Sequence, residues 1–142
     1  MPYAAAANAI HNTLWRTIEP YFQPGSVIAH NMYDKLELPW ESDPTQVAFP
    51  QDQYRRFDWD RDGVLSDGKD FFGGSQELPV EMYEKMLETV SPVTRWREAH
   101  PDLVGTERDC VTEHIDQMKR VVSRPALRGG SATALLMFKR TA

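Results

Sequence analysis

Three side chains of types that commonly serve in catalysis define the candidate chemistry of this chain: His30, Tyr33 and Arg95. His30 and Tyr33 lie three residues apart, so a helix would present both on one face. An imidazole can donate or accept a proton near neutral pH, and a guanidinium can hold a carboxylate or an enolate oxygen. We therefore predict these three as the catalytic residues.

Aromatic side chains accompany this group along the sequence. Aromatic walls can bind the apolar body of a small molecule, while one or two polar groups orient it. The alternative is that the tryptophans belong to an ordinary hydrophobic core and that His30 and Arg95 are surface side chains. On the first interpretation the substrate-binding residues are Trp15, Tyr21, Phe22, Asp34, Trp40 and Trp96.

An acidic motif, Asp58-x-Asp60-x-Asp62-Gly63, has the alternating oxygen ligands and the glycine of a calcium loop. Leu65 also suits the apolar position of an EF-hand loop, but Lys69 stands where the closing bidentate acid is needed. The flanking residues are typical of a strand and a loop, and not of paired helices. We interpret the motif as a solvated acidic turn and predict no metal.

Other catalytic and metal-binding motifs are missing from the sequence. The four histidines do not have zinc-ligand spacing. No Gly-x-Ser-x-Gly turn is present, and Ser26, Ser66 and Ser91 have no adjacent base in the sequence. The single cysteine, Cys110, falls within a predicted helix, which favours a buried, unreactive thiol over a nucleophile.

The composition excludes two classes of partner. The formal net charge is −5, from 16 Lys and Arg against 21 Asp and Glu, without a dense basic stripe, so we expect no nucleic-acid binding. No apolar run is long enough to cross a bilayer, and we expect no membrane association. The start lacks the features of a secretory signal and the lone cysteine fits a reducing compartment, which together predict a cytoplasmic protein.

Apolar residues at helical spacing predict about four helices. The first covers residues 4–19, and the second covers residues 26–36 with Ser26 as its cap. The third begins at Leu78 and is kinked or restarted at Pro92 before His100 and Pro101 end it. Thr106 is expected to cap the fourth, whose apolar stripe runs from residue 111 to residue 122.

Two strand candidates remain, at residues 54–59 and 132–139. The second is an apolar run of the kind found in strands buried on both faces. The predicted fold class is α+β: about four helices with a small antiparallel sheet, in a single domain over residues 1–142. A sheet of two strands is marginal alone and has open edges, so we expect a homodimer or a partner chain to cover it.

Short motifs extend over most of the chain in a characteristic order. They are an aromatic-Pro-Gly turn at residues 21–25, Leu-Pro-Trp at 38–40, an aromatic strand at 57–63, Phe-Phe at 71–72 and Trp-Arg-Glu-Ala-His-Pro at 96–101. This order resembles the C-terminal half of fungal class I S-adenosylmethionine-dependent methyltransferases of the trans-aconitate methyltransferase-like group. The resemblance implies that the helices carrying the aromatic residues cover a substrate.

The family's cofactor-binding half has no counterpart here. That half carries a glycine-rich turn after the first strand of a doubly wound sheet, whereas this chain contains no Gly-x-Gly and lacks the first four or five strands. We therefore expect no S-adenosylmethionine binding by this chain alone, and no other cofactor.

Two functions follow from the resemblance. In the first, a truncated methyltransferase-like enzyme of fungal natural-product metabolism binds a hydrophobic small molecule and promotes a cofactor-free cyclisation, isomerisation or dehydration. In the second, the chain is a non-catalytic companion that completes or regulates a full-length methyltransferase. The expected assembly is a homodimer or a heteromer with a methyltransferase-like chain.

Overall fold

The computed structural model describes residues 3–63, 69–123 and 125–141. The fold is α+β, with strands paired only in antiparallel fashion in these ranges. None of the described helices is long and apolar enough to cross a membrane. In chain order the elements are α1 (Ala4–Ile18), α2 (Pro24–His30), α3 (Pro39–Ser42), β1 (Arg55–Trp59), β2 (Gln76–Pro79), α4 (Val80–Glu88), α5 (Ser91–Ala99), α6 (Cys110–Val121), β3 (Ala126–Gly129) and β4 (Thr133–Met137).

The chain divides into two compact units, which we describe separately. The first unit consists of Met1–Pro24 and Gln76–Gly129, and the second consists of Gly25–Ser75 and Gly130–Ala142. The prediction of a single domain over residues 1–142 stays a prediction.

The first unit holds the hydrophobic core. Leu14 and Ile18, four residues apart on α1, are both buried, as the helical spacing predicts. Val111 and Ile115 on α6 repeat the same spacing, and α1 packs against α6. The nine residues of the buried cluster are Leu14, Ile18, Val80, Leu87, Val93, Trp96, Cys110, Val111 and Ile115.

The first unit also contains a small sheet that the sequence did not predict. β2 pairs with β3 in antiparallel register, with Leu78 opposite Leu127. α4 begins at the residue after the end of β2, and the N–H of this residue, Val80, donates to the Pro125 carbonyl at 3.2 Å. The predicted helix start at Leu78 is therefore wrong, because residues 76–79 are paired as a strand and Pro79 stands at the N-cap of α4.

The second unit contains the predicted sheet. β1 and β4 pair in antiparallel register, with Phe57 opposite Leu135 and Trp59 opposite Thr133. This confirms the small antiparallel sheet expected from the candidates at residues 54–59 and 132–139.

The predicted second helix ends early, at His30 and not near Leu36. The N–H groups of Tyr33 and Met32 donate to the Ile28 and Ala29 carbonyls at 2.9 and 3.0 Å, which is a Schellman C-terminus. Met32 and Tyr33 have φ of 52° and 63°, a conformation that stops the helix. The helix also begins at Pro24, so Ser26 lies inside it and the predicted cap at Ser26 is wrong.

Other boundaries correct the remaining predictions. The described residues contain six α-helices where about four were expected, because Pro39 opens a short helix and Pro92 stands in the first turn of a separate one. Asp109, and not Thr106, caps α6: its carboxylate accepts from the N–H groups of Val111 and Thr112 at 2.9 and 3.4 Å.

Candidate functional site

The residues predicted to form one site are divided between the two units. The first unit contains Trp15, Tyr21, Phe22, Arg95 and Trp96, and the second contains His30, Tyr33, Asp34 and Trp40. A pocket that includes all of them stays a prediction.

The Arg95 side chain makes a hydrogen bond to the backbone of the first unit. Its Nη1 donates to the Tyr21 carbonyl at 2.9 Å, which links α5 to the 3-10 turn Glu19–Tyr21. Trp96 is buried and stacks on His100, with ring centroids 4.4 Å apart. Tyr21 meets the same imidazole edge-on at 6.1 Å. Trp96 is thus a core residue, as the alternative interpretation held.

His100, which was not among the predicted site residues, lies between these two aromatic rings. Its Nδ1 is 2.8 Å from the Trp96 carbonyl oxygen, and since a carbonyl only accepts, Nδ1 carries the proton. In the neutral ring Nε2 then has a lone pair available as an acceptor. A histidine that immediately follows a helix could have been noticed in the sequence, but its two aromatic neighbours are brought there by the fold.

Trp15 belongs to a polar network that the sequence did not predict. The indole Nε1–H donates to His11 Nε2 at 2.6 Å, and Trp15 also meets Phe22 edge-on at 5.9 Å. His11 Nδ1 lies 2.9 Å from the Tyr83 hydroxyl, which lies 3.1 Å from His114 Nε2. The network joins α1, α4 and α6.

Burial shifts two pKa values in this network. His114 is 3% exposed, and burial together with the charge of His11 lowers its pKa to about 4, although the Ile10 carbonyl favours the charged ring. Burial raises the pKa of Tyr83 to about 12. A signal for His114 was present in the sequence, because it lies three residues after Val111 on the apolar stripe of α6.

The second unit contains a half-open hollow of about 340 Å³. Of the predicted site residues only Tyr33 and Asp34 line it, together with Tyr54, Arg56 and a run of residues from 35 to 38. His30, which is exposed, is not part of its lining. Trp40 is 5.2 Å from the Tyr54 ring and 6.2 Å from the Phe138 ring, in an aromatic cluster of the same unit.

Asp34 is neutralised by two guanidinium groups. Arg61 donates to both of its oxygens at 2.7 and 2.9 Å, and Arg56 donates to one at 2.8 Å. These hydrogen bonds, that of Arg61 first, hold the pKa of Asp34 below its usual value. Arg56 also donates to the Met32 carbonyl at 2.6 Å and so fixes the left-handed turn beside the hollow. Asp34 is therefore a structural anion and a poor proton acceptor.

Two carboxylates of the acidic motif accept hydrogen bonds from other residues of the second unit. Asp58 accepts from Arg56 and Arg61 at 3.0 and 2.6 Å, and buried Asp60 accepts from the Phe72 N–H at 3.1 Å. No group of three potential metal-binding side chains occurs in the ranges described above. The Asp62 side chain and residues 65 and 66 lie outside the described residues.

Cys110 is buried at the start of α6. Burial, with the charge of Asp109, raises its thiol pKa to about 11. The prediction of a buried cysteine is confirmed, and a thiol of this kind is not a nucleophile at neutral pH.

Comparison of the chain with family models, with curated proteins and with solved structures finds no match.

Apolar side chains of the second unit are exposed on its sheet and next to it. Phe57 is 48% exposed, Phe72 59%, Leu135 41% and Met137 49%. Trp59 stacks between Phe57 and Phe72, with ring centroids 6.0 and 4.1 Å apart. This group, which we call the sheet patch, is an exposed apolar surface that could bind a ligand or a partner.

Proposed function

We propose that this chain is a companion of a methyltransferase-like polypeptide, which covers the sheet of the second unit. One observation carries the proposal. Every buried apolar side chain among the described residues belongs to the first unit, and the single buried residue described in the second is Asp60. A unit with a sheet but without a buried apolar side chain gains little from the hydrophobic effect until another surface covers it.

The composition of β4 supports the same proposal. Its residues are Thr-Ala-Leu-Leu-Met, apolar on both sides of the strand, although Leu135 and Met137 are exposed. Strands of this kind normally lie inside a sheet that is covered on both faces. β4 therefore has the sequence of an interior strand and the surroundings of a surface one.

The strand edges offer a way to bind. Among the described residues β1 and β4 pair only with each other, so each strand keeps one edge to which another strand could bond. Strand addition supplies main-chain hydrogen bonds, and pockets for alternate side chains give specificity. The resemblance to methyltransferases names the occupant: a polypeptide that carries the cofactor-binding front half of that fold, which this sequence lacks.

A binding experiment tests this proposal. The chain is titrated into the front half of a fungal trans-aconitate methyltransferase-like protein and followed by calorimetry and native mass spectrometry. We expect a one-to-one complex with the wild type, weakened at least tenfold by Leu135→Lys. Met82→Lys is the matched control, because Met82 is 50% exposed but lies on α4 of the first unit.

Two outcomes would contradict the proposal. One is a wild-type chain that stays monomeric and does not bind the front half at tens of micromolar. The other is equal weakening by both lysine variants, which would place the interface elsewhere. A homodimer that Leu135→Lys separates would replace the proposed partner with a second copy of this chain.

The hollow in the second unit favours a second candidate, the cofactor-free enzyme. Its volume of about 340 Å³ is within the range of small-molecule sites, and it brings predicted residues Tyr33 and Asp34 together with Tyr54. On this proposal the hollow binds a hydrophobic metabolite, and Tyr33, the predicted catalytic residue that lines it, moves a proton during cyclisation, isomerisation or dehydration.

Turnover assays test the enzyme candidate. Purified chain is incubated with aromatic and apolar pathway intermediates, with and without S-adenosylmethionine, and products are followed by mass spectrometry. We expect turnover that does not depend on the methyl donor and is abolished by Tyr33→Phe with an unchanged melting temperature, since Tyr33 is 41% exposed. A fully active Tyr33→Phe variant would remove Tyr33 from the mechanism.

A further inference from the structure

A hydrogen-bond chain crosses three helices of the first unit. It connects Trp15 and His11 on α1, Tyr83 on α4 and His114 on α6, with links of 2.6, 2.9 and 3.1 Å. The ring centroids of the two histidines lie 6.2 Å apart. His11 and Tyr83 are 72 residues apart in the sequence, so the network is a tertiary connection.

The indole at one end fixes the direction of every bond. An indole N–H can only donate, so His11 Nε2 is the acceptor and Nδ1 of the same neutral ring carries its proton. That proton is donated to the Tyr83 oxygen, and the Tyr83 hydroxyl donates to His114 Nε2. Both histidines are therefore neutral Nδ1–H tautomers while the chain is intact.

The other end of the network, His114 Nδ1, has no well-aligned acceptor among the described residues. His114 Nδ1 is buried and makes no hydrogen bond within the described residues. The Ile10 carbonyl on α1 lies close to the His114 ring and favours its charged form, but it does not meet hydrogen-bond geometry with Nδ1. A buried N–H without a well-aligned acceptor is unfavourable, so this end of the network is its weakest point.

We propose that this hydrogen-bond chain is an acid-sensitive latch, which holds α1 against α4 and α6 at neutral pH and releases α1 when its histidines are protonated. A proton on His11 Nε2 would remove the acceptor of Trp15. A proton on His114 Nε2 would turn an acceptor into a second donor toward the Tyr83 oxygen. Either event breaks a link, and a proton on buried His114 also places a positive charge in the interior.

The groups that face His114 set the pH range of the latch. From α1 it is faced by His11, whose charge opposes protonation, and from α4 by Tyr83, which is neutral across this range. The pKa of His114 falls from an ordinary 6.5 to about 4 in the folded chain. A lowered histidine pKa means that the stabilisation is fully present above pH 6.5 and is lost as the pH falls toward 4.

Release of α1 would change the surface of the first unit. α1 contributes Leu14 and Ile18 to the core, and both are almost completely buried. Their opposing surface on α6 includes Val111 and Ile115. Acid would thus expose an apolar face on each side, which gives the latch a readout that is independent of the sheet patch.

Hydrogen exchange of the full chain, corrected for intrinsic exchange rates, tests the latch at pH 7.5 and 4.8. If the released state titrates normally, the shift of the His114 pKa predicts about 40-fold more opening of α1 at pH 4.8. Opening of β1 and β4 should not increase. We expect His114→Leu to remove this pH response and His30→Gln, which changes an exposed histidine of the second unit, to retain it.

A second measurement does not depend on whether the variant folds. Long-range ¹H–¹⁵N spectra of the wild-type chain at pH 7.5 report the tautomer of each imidazole. We expect Nδ1–H forms for His11 and His114. An Nε2–H form for either one would overturn the hydrogen-bond direction and the proposal with it, as would α1 exchange that is equal at the two pH values.

Discussion

Replacing Asp109 should destabilise the first unit more than any other single carboxylate change. The Asp109 side chain is 0% exposed and has two structural tasks. It caps α6 through the N–H groups of Val111 and Thr112, and it forms a two-pronged ion pair with Arg97 at 2.8 and 3.0 Å. Burial opposes the charged carboxylate, but Arg97 and the backbone N–H groups hold the pKa of Asp109 below its usual value.

The magnitude follows from the two tasks. Loss of an N-cap costs about 1 kcal/mol, and removal of one member of a buried ion pair costs about 3–5 kcal/mol. Arg97 is partly exposed and has a second carboxylate, Glu88, at 3.6 Å, which offsets part of the second cost. We therefore expect Asp109→Ala to lower the free energy of unfolding by about 3 kcal/mol and Asp109→Asn, which keeps a cap acceptor, by about half of that.

Urea unfolding of both variants at pH 7 checks this expectation. Thr106→Ala is the matched control, because threonine is a common N-cap residue type and Thr106 was the predicted cap, but its hydroxyl donates to the Leu103 carbonyl and does not cap α6. Its effect should stay below about 1 kcal/mol. Equal costs for Thr106→Ala and Asp109→Ala, or a cost below about 1 kcal/mol for the latter, would refute the reasoning.

Three further predictions concern other contacts. Gly130→Ala should cost about 1–3 kcal/mol, because its Cβ would overlap the Phe71 ring, whereas Gly129→Ala meets no atom within 4 Å and should be much milder in the same unfolding assay. Cys110 should react with a thiol reagent only as fast as the chain opens, and rapid labelling of the native chain would contradict its burial. Asp34→Ala should give a small fall in melting temperature that vanishes at 1 M salt; a fall that persists there would contradict screening of these exposed ion pairs.

The sequence was sufficient where local pattern and tertiary packing agree. Helices α1 and α6 follow their apolar spacing, and the β1–β4 pair follows two strand-like runs. The end of α2 could not be predicted, because the left-handed position at Met32 usually signals itself by a glycine or an asparagine. Arg56, 24 residues further along, supports that turn by a contact that exists only in the folded chain.

The second sheet lacked a usable local signal. β2 includes Pro79 and β3 ends in Gly129, two residue types that are depleted in strands. What holds these short strands is their pairing across nearly 50 residues, together with the Val80 N–H bond to Pro125. Tertiary pairing therefore overrode local preference.

The hydrogen-bond network of the first unit had no local signal either. Histidine ligand motifs depend on spacing along the chain, whereas His11 contacts Tyr83 across 72 residues and Tyr83 contacts His114 across 31. The place of His114 on an apolar stripe could have predicted its burial, but not its hydrogen-bond partners. Among the predicted site residues, Trp15 alone belongs to this network.

The two units are stabilised by different interactions. The first unit buries apolar side chains from several helices, so loosening one helix requires a trigger, and on our proposal protonation of His11 and His114 is that trigger. The second unit relies on exposed ion pairs and ring contacts such as Trp59 on Phe72. Exposed ion pairs are screened by solvent and contribute little, and a ring pair adds only modestly to the area that it buries. A partner that covers the sheet patch should therefore slow hydrogen exchange in β1 and β4 and leave α6 unchanged, whereas protection of α6 would place the interface on the first unit.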